Sequence, residues 1–128
     1  MRPVLVTGAA GFVGSHLVDA LLARDIPVRA LVRPETDRTW LDASRVSFVS
    51  GSLDDEDSLA QAADGCEAVY HVAGITQARL PGDFQRVNAD GCGRMGRAAR
   101  RAGVEKFVLV SSLAAGGPAP GHPRSETD

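Results

Sequence analysis

The stretch Thr7-Gly8-Ala9-Ala10-Gly11-Phe12-Val13-Gly14 stands between a short apolar run, Val4-Leu5-Val6, and a segment from His16 to Ala23 with apolar residues at helical spacing. A strand, a glycine-rich turn and a helix in that order leave few folds open. Residues without a β-carbon let the chain turn sharply off the strand and let its backbone come close to a ligand. A pyrophosphate lying there meets unpaired N–H groups and the positive end of the helix dipole. Gly14, in the first turns of the helix, permits close packing on the sheet.

The rest of the chain alternates in the same way. Val28 to Val32 is an apolar run between Pro27 and Pro34, and Val46 to Val49 is another, ended by Ser50-Gly51-Ser52. Asp54 to Ala63 opens with acids, which favour a helix N-terminus, and sets Leu59, Ala62 and Ala63 on one side. Ala68 to Ala73 is a fourth strand running into Gly74, and Asp83 to Ala102, rich in Ala and Arg and ended by Gly103, is expected to be the longest helix. Lys106 to Ser112 has no polar alternation through its middle, as in a strand buried on both faces. Parallel strands need crossover connections, so this order predicts an α/β fold with a doubly wound parallel sheet. The folded domain is expected over residues 1–113. Residues 114–128, with three prolines, three glycines and a charged end, are expected to be loop or tail.

The 128 residues amount to one domain. The formal charge of −2 comes from interspersed acids and bases, which offers no concentrated positive field to nucleic acid or an anionic membrane. The three apolar residues before Gly8 are too few for a signal-peptide core or a membrane span, so a cytoplasmic location is expected. Cys66 and Cys92 read as free thiols, and they share no metal-ligand spacing with each other or with His16, His71 and His122. No metal site is expected, and His16 and His71 read as packing or loop residues. The only tyrosine is Tyr70 and the only lysine Lys106.

The end of the second strand bears on the choice of dinucleotide. An acid there accepts from a ribose 2′-hydroxyl, whereas a 2′-phosphate needs positive charge. This strand is followed by Arg33, and Arg38 comes a short loop later, with Glu35 and Asp37 between them offsetting part of the field. The pair favours NADP ahead of NAD.

Five stretches together resemble the extended short-chain dehydrogenases/reductases, the family of NAD(P)-dependent epimerases, dehydratases and related reductases. They are Thr7-Gly8-x-x-Gly11-x-x-Gly14, Gly51-Ser52-Leu53-Asp54-Asp55, Val69 to Gly74, Val87-Asn88-Ala89-Asp90-Gly91, and Phe107 to Ser112 followed by Gly117. The resemblance implies a Rossmann-type sheet of strand order 3-2-1-4-5. It implies that the glycine turn with Phe12 and Val13 holds the pyrophosphate, that Ser52 and Leu53 border the adenine, and that Ala73 and Gly74 line the nicotinamide side. Asn88 is implied as a structural asparagine near the site, and Ser112 as the catalytic hydroxyl that hydrogen-bonds the substrate oxygen. A small-molecule substrate follows, with hydride moved at a secondary alcohol or ketone, a sugar nucleotide being one candidate.

Two features depart from the family pattern. Where the family often has an aspartate to hold the adenine, this chain has Ser52. The family's tyrosine and the lysine four residues after it, beyond the fifth strand, have no counterpart here. The chain thus reads as the N-terminal part of a longer enzyme, and by itself is expected to bind cofactor without turnover. A non-catalytic NADP-binding or sensing module is the alternative. The apolar fifth strand, left at the sheet edge, is expected to invite self-association.

Overall fold

A computed structural model describes residues 1–119 and 121–128; Pro120, within the expected loop or tail, lies outside the described residues. Five strands, β1 (Val4–Thr7), β2 (Val28–Val32), β3 (Val46–Ser50), β4 (Ala68–His71) and β5 (Lys106–Leu109), form one sheet ordered β3-β2-β1-β4-β5. Every pairing is parallel, with Val4 opposite Val28 on one side and Ala68 on the other. The helices are α1 (Phe12–Leu22), α2 (Glu56–Ala63) and α3 (Gly91–Arg101). The doubly wound α/β sheet expected from the sequence is therefore present, in the order 3-2-1-4-5.

The sheet grows from β1 through β2 and β3 on one side and through β4 and β5 on the other. Right-handed crossovers in opposite directions deposit their helices on opposite faces. Accordingly Val4 and Val6 pack with Val18, Leu21 and Leu22 of α1, while Leu5 packs with Leu59 and Ala62 of α2 and Met95 and Ala98 of α3. A strand buried on both faces has no reason to alternate with polar residues, and the whole of β1 is buried. Asp55 starts α2, its carboxylate accepting from the Asp57 and Ser58 N–H groups at 3.1 and 3.2 Å. Arg97 and Arg101 of α3 reach Glu56 and Asp57 at the start of α2, tying the two helices together on their outer side. The Arg97 hydrogen bond, aided by the charges of Arg97 and Arg101 and opposed by burial, holds the Glu56 carboxyl below its ordinary range.

Several boundaries differ from those read in the sequence. Helix α1 begins at Phe12, a turn before the apolar periodicity starts, because Phe12 and Val13 are exposed and leave no buried stripe to read. Strand β4 stops at His71, since the N–H groups of Val72 and Ala73 turn to Thr7. The single long helix expected over 83–102 is divided into a π-helical segment, Gln85–Asp90, and α3, which at 11 residues equals α1. Strand β5 ends at Leu109, and it is not buried on both faces: it pairs with β4 alone, and Phe107, Leu109 and Val110 are exposed. A 3-10 turn, Leu113–Gly116, starts at the last residue of the expected domain and runs into the segment expected to be loop or tail. Among the described residues, no helix is long and apolar enough to cross a membrane, and no group of three or more His, Cys, Asp or Glu is placed to hold a metal ion.

Candidate dinucleotide site

The chain reverses its direction of sheet growth between β1 and β4, and a crevice opens where neighbouring connections leave in opposite directions. The glycine turn lies at that crevice. Gly8 has φ of +67°, and a β-carbon there would stand 2.7 Å from the Ala73 nitrogen. A β-carbon on Gly14 would stand 1.9 Å from the Gly8 carbonyl oxygen, so helix, turn and the end of β4 are in backbone contact. Gly11 is the N-cap of α1 in extended conformation, and no side chain caps the helix. The first N–H groups of α1 are thereby left for an outside acceptor.

A cavity of about 390 Å³ opens over this turn. Its wall is built from Gly8 to Gly11, Val32 at the end of β2 with Arg33 and Thr36 after it, Gly51 to Asp54 after β3, and Ala73 to Ile75 after β4. Gly8, Gly11, Arg33, Ser52, Leu53, Ala73 and Gly74 are thus brought to one wall. The Arg33 N–H donates to Thr36 Oγ1 at 2.9 Å, while its guanidinium, largely exposed, is 3.4 Å from Glu35. Arg38 is elsewhere: its guanidinium sits 4.6 Å from the centroid of the Phe48 ring, a cation–π contact, and it is no part of the wall. Ser52 Oγ accepts from the Asp54 N–H at 3.2 Å, and the Leu53 carbonyl accepts from Arg94 Nε at 2.6 Å, so both belong to a pinned turn.

Other residues singled out in the sequence support the wall from outside it. Thr7 is buried behind the turn, its Oγ1 2.7 Å from His71 Nδ1 and 3.2 Å from the nitrogens of Val72 and Ala73. Asn88 makes two hydrogen bonds to the backbone of Ile75, accepting at 2.8 Å and donating at 2.9 Å. Phe12 and Val13 are exposed at the start of α1, and Gly14 lies within its first turn; none of the three lines the cavity. Ser112 is exposed and caps the 3-10 turn, accepting from the Ala114 N–H at 3.2 Å; it is not brought to the cavity.

The structure adds residues that the sequence did not mark. Thr36, Arg79, Asp83 and Arg86 all line the cavity. Arg86 pairs with Asp54, also a lining residue, at 2.8 Å and approaches Asp83 at 3.5 Å. The Asp83 carboxyl is held below its ordinary range first by the Leu80 N–H, and hydrogen bonding to Asp54 raises Arg86 further. Asp54 stood within a recognised segment, but nothing in its local spacing announces a partner 32 residues away.

A parallel sheet of order 3-2-1-4-5 with a glycine turn, an uncapped helix and a crevice at the switch point defines a dinucleotide-binding Rossmann domain. Residues 8–127 match the family model described as NAD(P)H-binding, and the chain belongs to that family, carrying the NAD(P)-binding portion of an epimerase/reductase-type short-chain dehydrogenase/reductase. It is 44% identical over 112 residues to a ceramide reductase of Caulobacter vibrioides, covering 88% of this chain and 35% of the relative. It is 43% identical over 116 residues to a sterol demethylase protein B of Methylococcus capsulatus, with the same two coverages of 88% and 35%. The crystal structure of UDP-glucose 4-epimerase from Thermus thermophilus in complex with NAD superposes with a TM-score of 0.81 at 32% identity, over 98% of this chain and 43% of that one. The chain spans about a third of the length of these two curated relatives, at 35% of each.

Proposed function

We propose that the crevice binds NADP in preference to NAD, and that the whole protein moves a hydride at a secondary alcohol or ketone of a small-molecule substrate. The observation that carries this reading is the shared wall of Gly8 to Gly11, Arg33 with Thr36, and Ala73 with Gly74. The fit rests on the cradle itself: a β-carbon at Gly8 or Gly14 would fill space that the turn needs, and the helix start has no cap of its own. The turn and the first N–H groups of α1 would hold the pyrophosphate. Arg33 and the Thr36 hydroxyl would meet the ribose 2′-phosphate, Ser52 and Leu53 the adenine, and Ala73 and Gly74 the nicotinamide end. Bound there, the dinucleotide supplies or accepts the hydride.

Ser112 is the proposed catalytic hydroxyl: it accepts from the Ala114 N–H, which leaves its own proton free to be donated to a substrate oxygen. A sugar nucleotide is one substrate class of the required chemistry. A diffusible dinucleotide is drawn from the cytoplasmic pool, which is the compartment this reading carries. The exposed apolar strand β5 adds self-association through its free edge. A non-catalytic binding module is the alternative reading; within this chain Tyr70 and Lys106 both lie on strands and do not form the acid–base pair of the family.

Titration of NADPH and of NADH into the purified chain, followed by fluorescence or calorimetry, tests the reading. Binding of NADPH tighter than NADH is expected, and binding of neither dinucleotide refutes it. Steady-state assay of the same 128-residue chain is expected to show no turnover of secondary alcohols or ketones. Turnover would overturn the requirement for the tyrosine and lysine.

A further inference from the structure

His71 ends β4 almost fully buried, two residues before the segment that lines the crevice. From β1 it meets Thr7, and from β5 it meets the Phe107 ring, 6.2 Å away between centroids, and Leu109 across the register. None of these neighbours is charged.

The hydrogen bonds around Thr7 fix the direction of the one to His71. A threonine hydroxyl has one proton to give and two lone pairs with which to accept. Thr7 Oγ1 takes the Val72 and Ala73 N–H groups at 3.2 Å each, which uses both lone pairs. Its proton then goes to His71 Nδ1 at 2.7 Å, so Nδ1 is unprotonated and the ring carries its proton on Nε2. Val72 shares its N–H with the Thr7 carbonyl at 3.3 Å, so the Ala73 amide depends most on the hydroxyl. Ala73 in turn is the residue against which Gly8 is packed, with no room for a β-carbon between them.

We propose that His71 is a positioning residue for the dinucleotide turn: by accepting the Thr7 hydroxyl proton on Nδ1, it leaves Thr7 free to hold the Ala73 amide, and through Ala73 the backbone of Gly8, in binding geometry. With Nδ1 protonated, three N–H groups would converge on one oxygen and the hydroxyl proton would have no acceptor. The Ala73 amide is then the group released. Burial lowers the pKa of His71, which keeps the accepting form populated at neutral pH. The inference rests on the NAD(P)-binding reading and deepens it.

The first test needs no cofactor. Long-range proton–nitrogen spectra of the labelled chain, which has three histidines, report the tautomer of each. His71 is expected with bare Nδ1 and protonated Nε2 near neutral pH, and an Nδ1–H tautomer overturns the proposal. The second test is NADH titration of the wild type, His71→Leu and His71→Asn near pH 8, with circular dichroism to verify folding. NADH is chosen because it carries no 2′-phosphate to titrate. His71→Leu is expected to bind about tenfold more weakly. His71→Asn, whose amide oxygen can stand where Nδ1 does, is expected to stay within about threefold of wild type.

A folded His71→Leu that binds as the wild type does sinks the inference alone. A wild type that binds no dinucleotide sinks the functional reading along with it. If His71→Leu does not fold, the pH profile decides: wild-type affinity should fall between about pH 8 and pH 5 while His71→Asn stays flat. Parallel profiles overturn the proposal.

Discussion

Gly14 approaches Gly8 so closely that a β-carbon on the first would lie 1.9 Å from the carbonyl oxygen of the second. The end of β1 and the first turn of α1 are therefore a single packed unit, and an added methyl group has nowhere to go. Gly14→Ala is expected to cost about 1–3 kcal/mol, the range for an overpacked interior, and to abolish dinucleotide binding. Gly11→Ala makes the contrast, because its β-carbon would meet only the Gly8 carbonyl oxygen at 3.4 Å. Urea denaturation of both variants checks the order, and equal stabilities would contradict the packing argument.

Arg33 lines the crevice while Arg38 is engaged with the Phe48 ring. Arg33→Ala should weaken NADPH binding about tenfold, the loss of one charge-assisted hydrogen bond, and leave NADH binding nearly unchanged. Arg38→Ala should affect both dinucleotides alike and only slightly. Calorimetric titration of the two variants separates the arginines, and an Arg38 effect confined to NADPH would reverse their roles.

These two arginines also show how far the sequence could be read. Charge after β2 is visible in the residues themselves, but the aromatic ring that takes Arg38 lies on another strand and carries no mark of the pairing. Strand β2 was legible to the residue because Pro27 and Pro34 bracket it. The start of α1 was not, since its first two residues are exposed apolar side chains that imitate no helical stripe. The π-helical segment Gln85–Asp90 was equally hidden, as hydrophobic spacing does not distinguish one extra residue in a turn. Strand β5 carries the apolar run of a buried strand, yet it stands exposed, because composition records what a segment is suited to pack against and not what is there. In the crevice, the glycines could be found by motif, whereas Arg86 and Asp54 meet only through the fold.

His71 gives stability a defined pH dependence. Its folded-state pKa is lowered from 6.5 by burial, so the unfolded chain takes up a proton first as pH falls. Stability is complete above that ordinary value and is lost as pH drops from it toward the lowered one. Glu56 and Asp83, also lowered, lose their contributions only below the ordinary carboxylate range. Urea midpoints measured between about pH 8 and pH 5 should decline in the wild type and decline less in His71→Asn. A midpoint that rises on acidification would reverse the sign.

Phe107 and Leu109 of β5, and Val110 just after it, are exposed at the sheet edge. Sedimentation velocity over a hundredfold range of concentration should show reversible association. Leu109→Lys, which sets a charge on that strand, should shift the chain toward monomer. A wild type that stays monomeric throughout would remove the edge as a contact.

Val4 and Val6 face α1, and Leu5 faces α2 and α3. A strand that is oily on both sides tolerates being slid by one residue as far as hydrophobicity is concerned, because either alignment buries comparable groups. What denies β1 that freedom is at its two ends, where Pro3 and Pro27 accept from Glu67 and Val4, and where Gly8 turns away against Ala73. The glycine that leaves room for a cofactor is thus also the stop that keeps the central strand in register, and selection for binding and selection for a unique fold fall on the same atom pair.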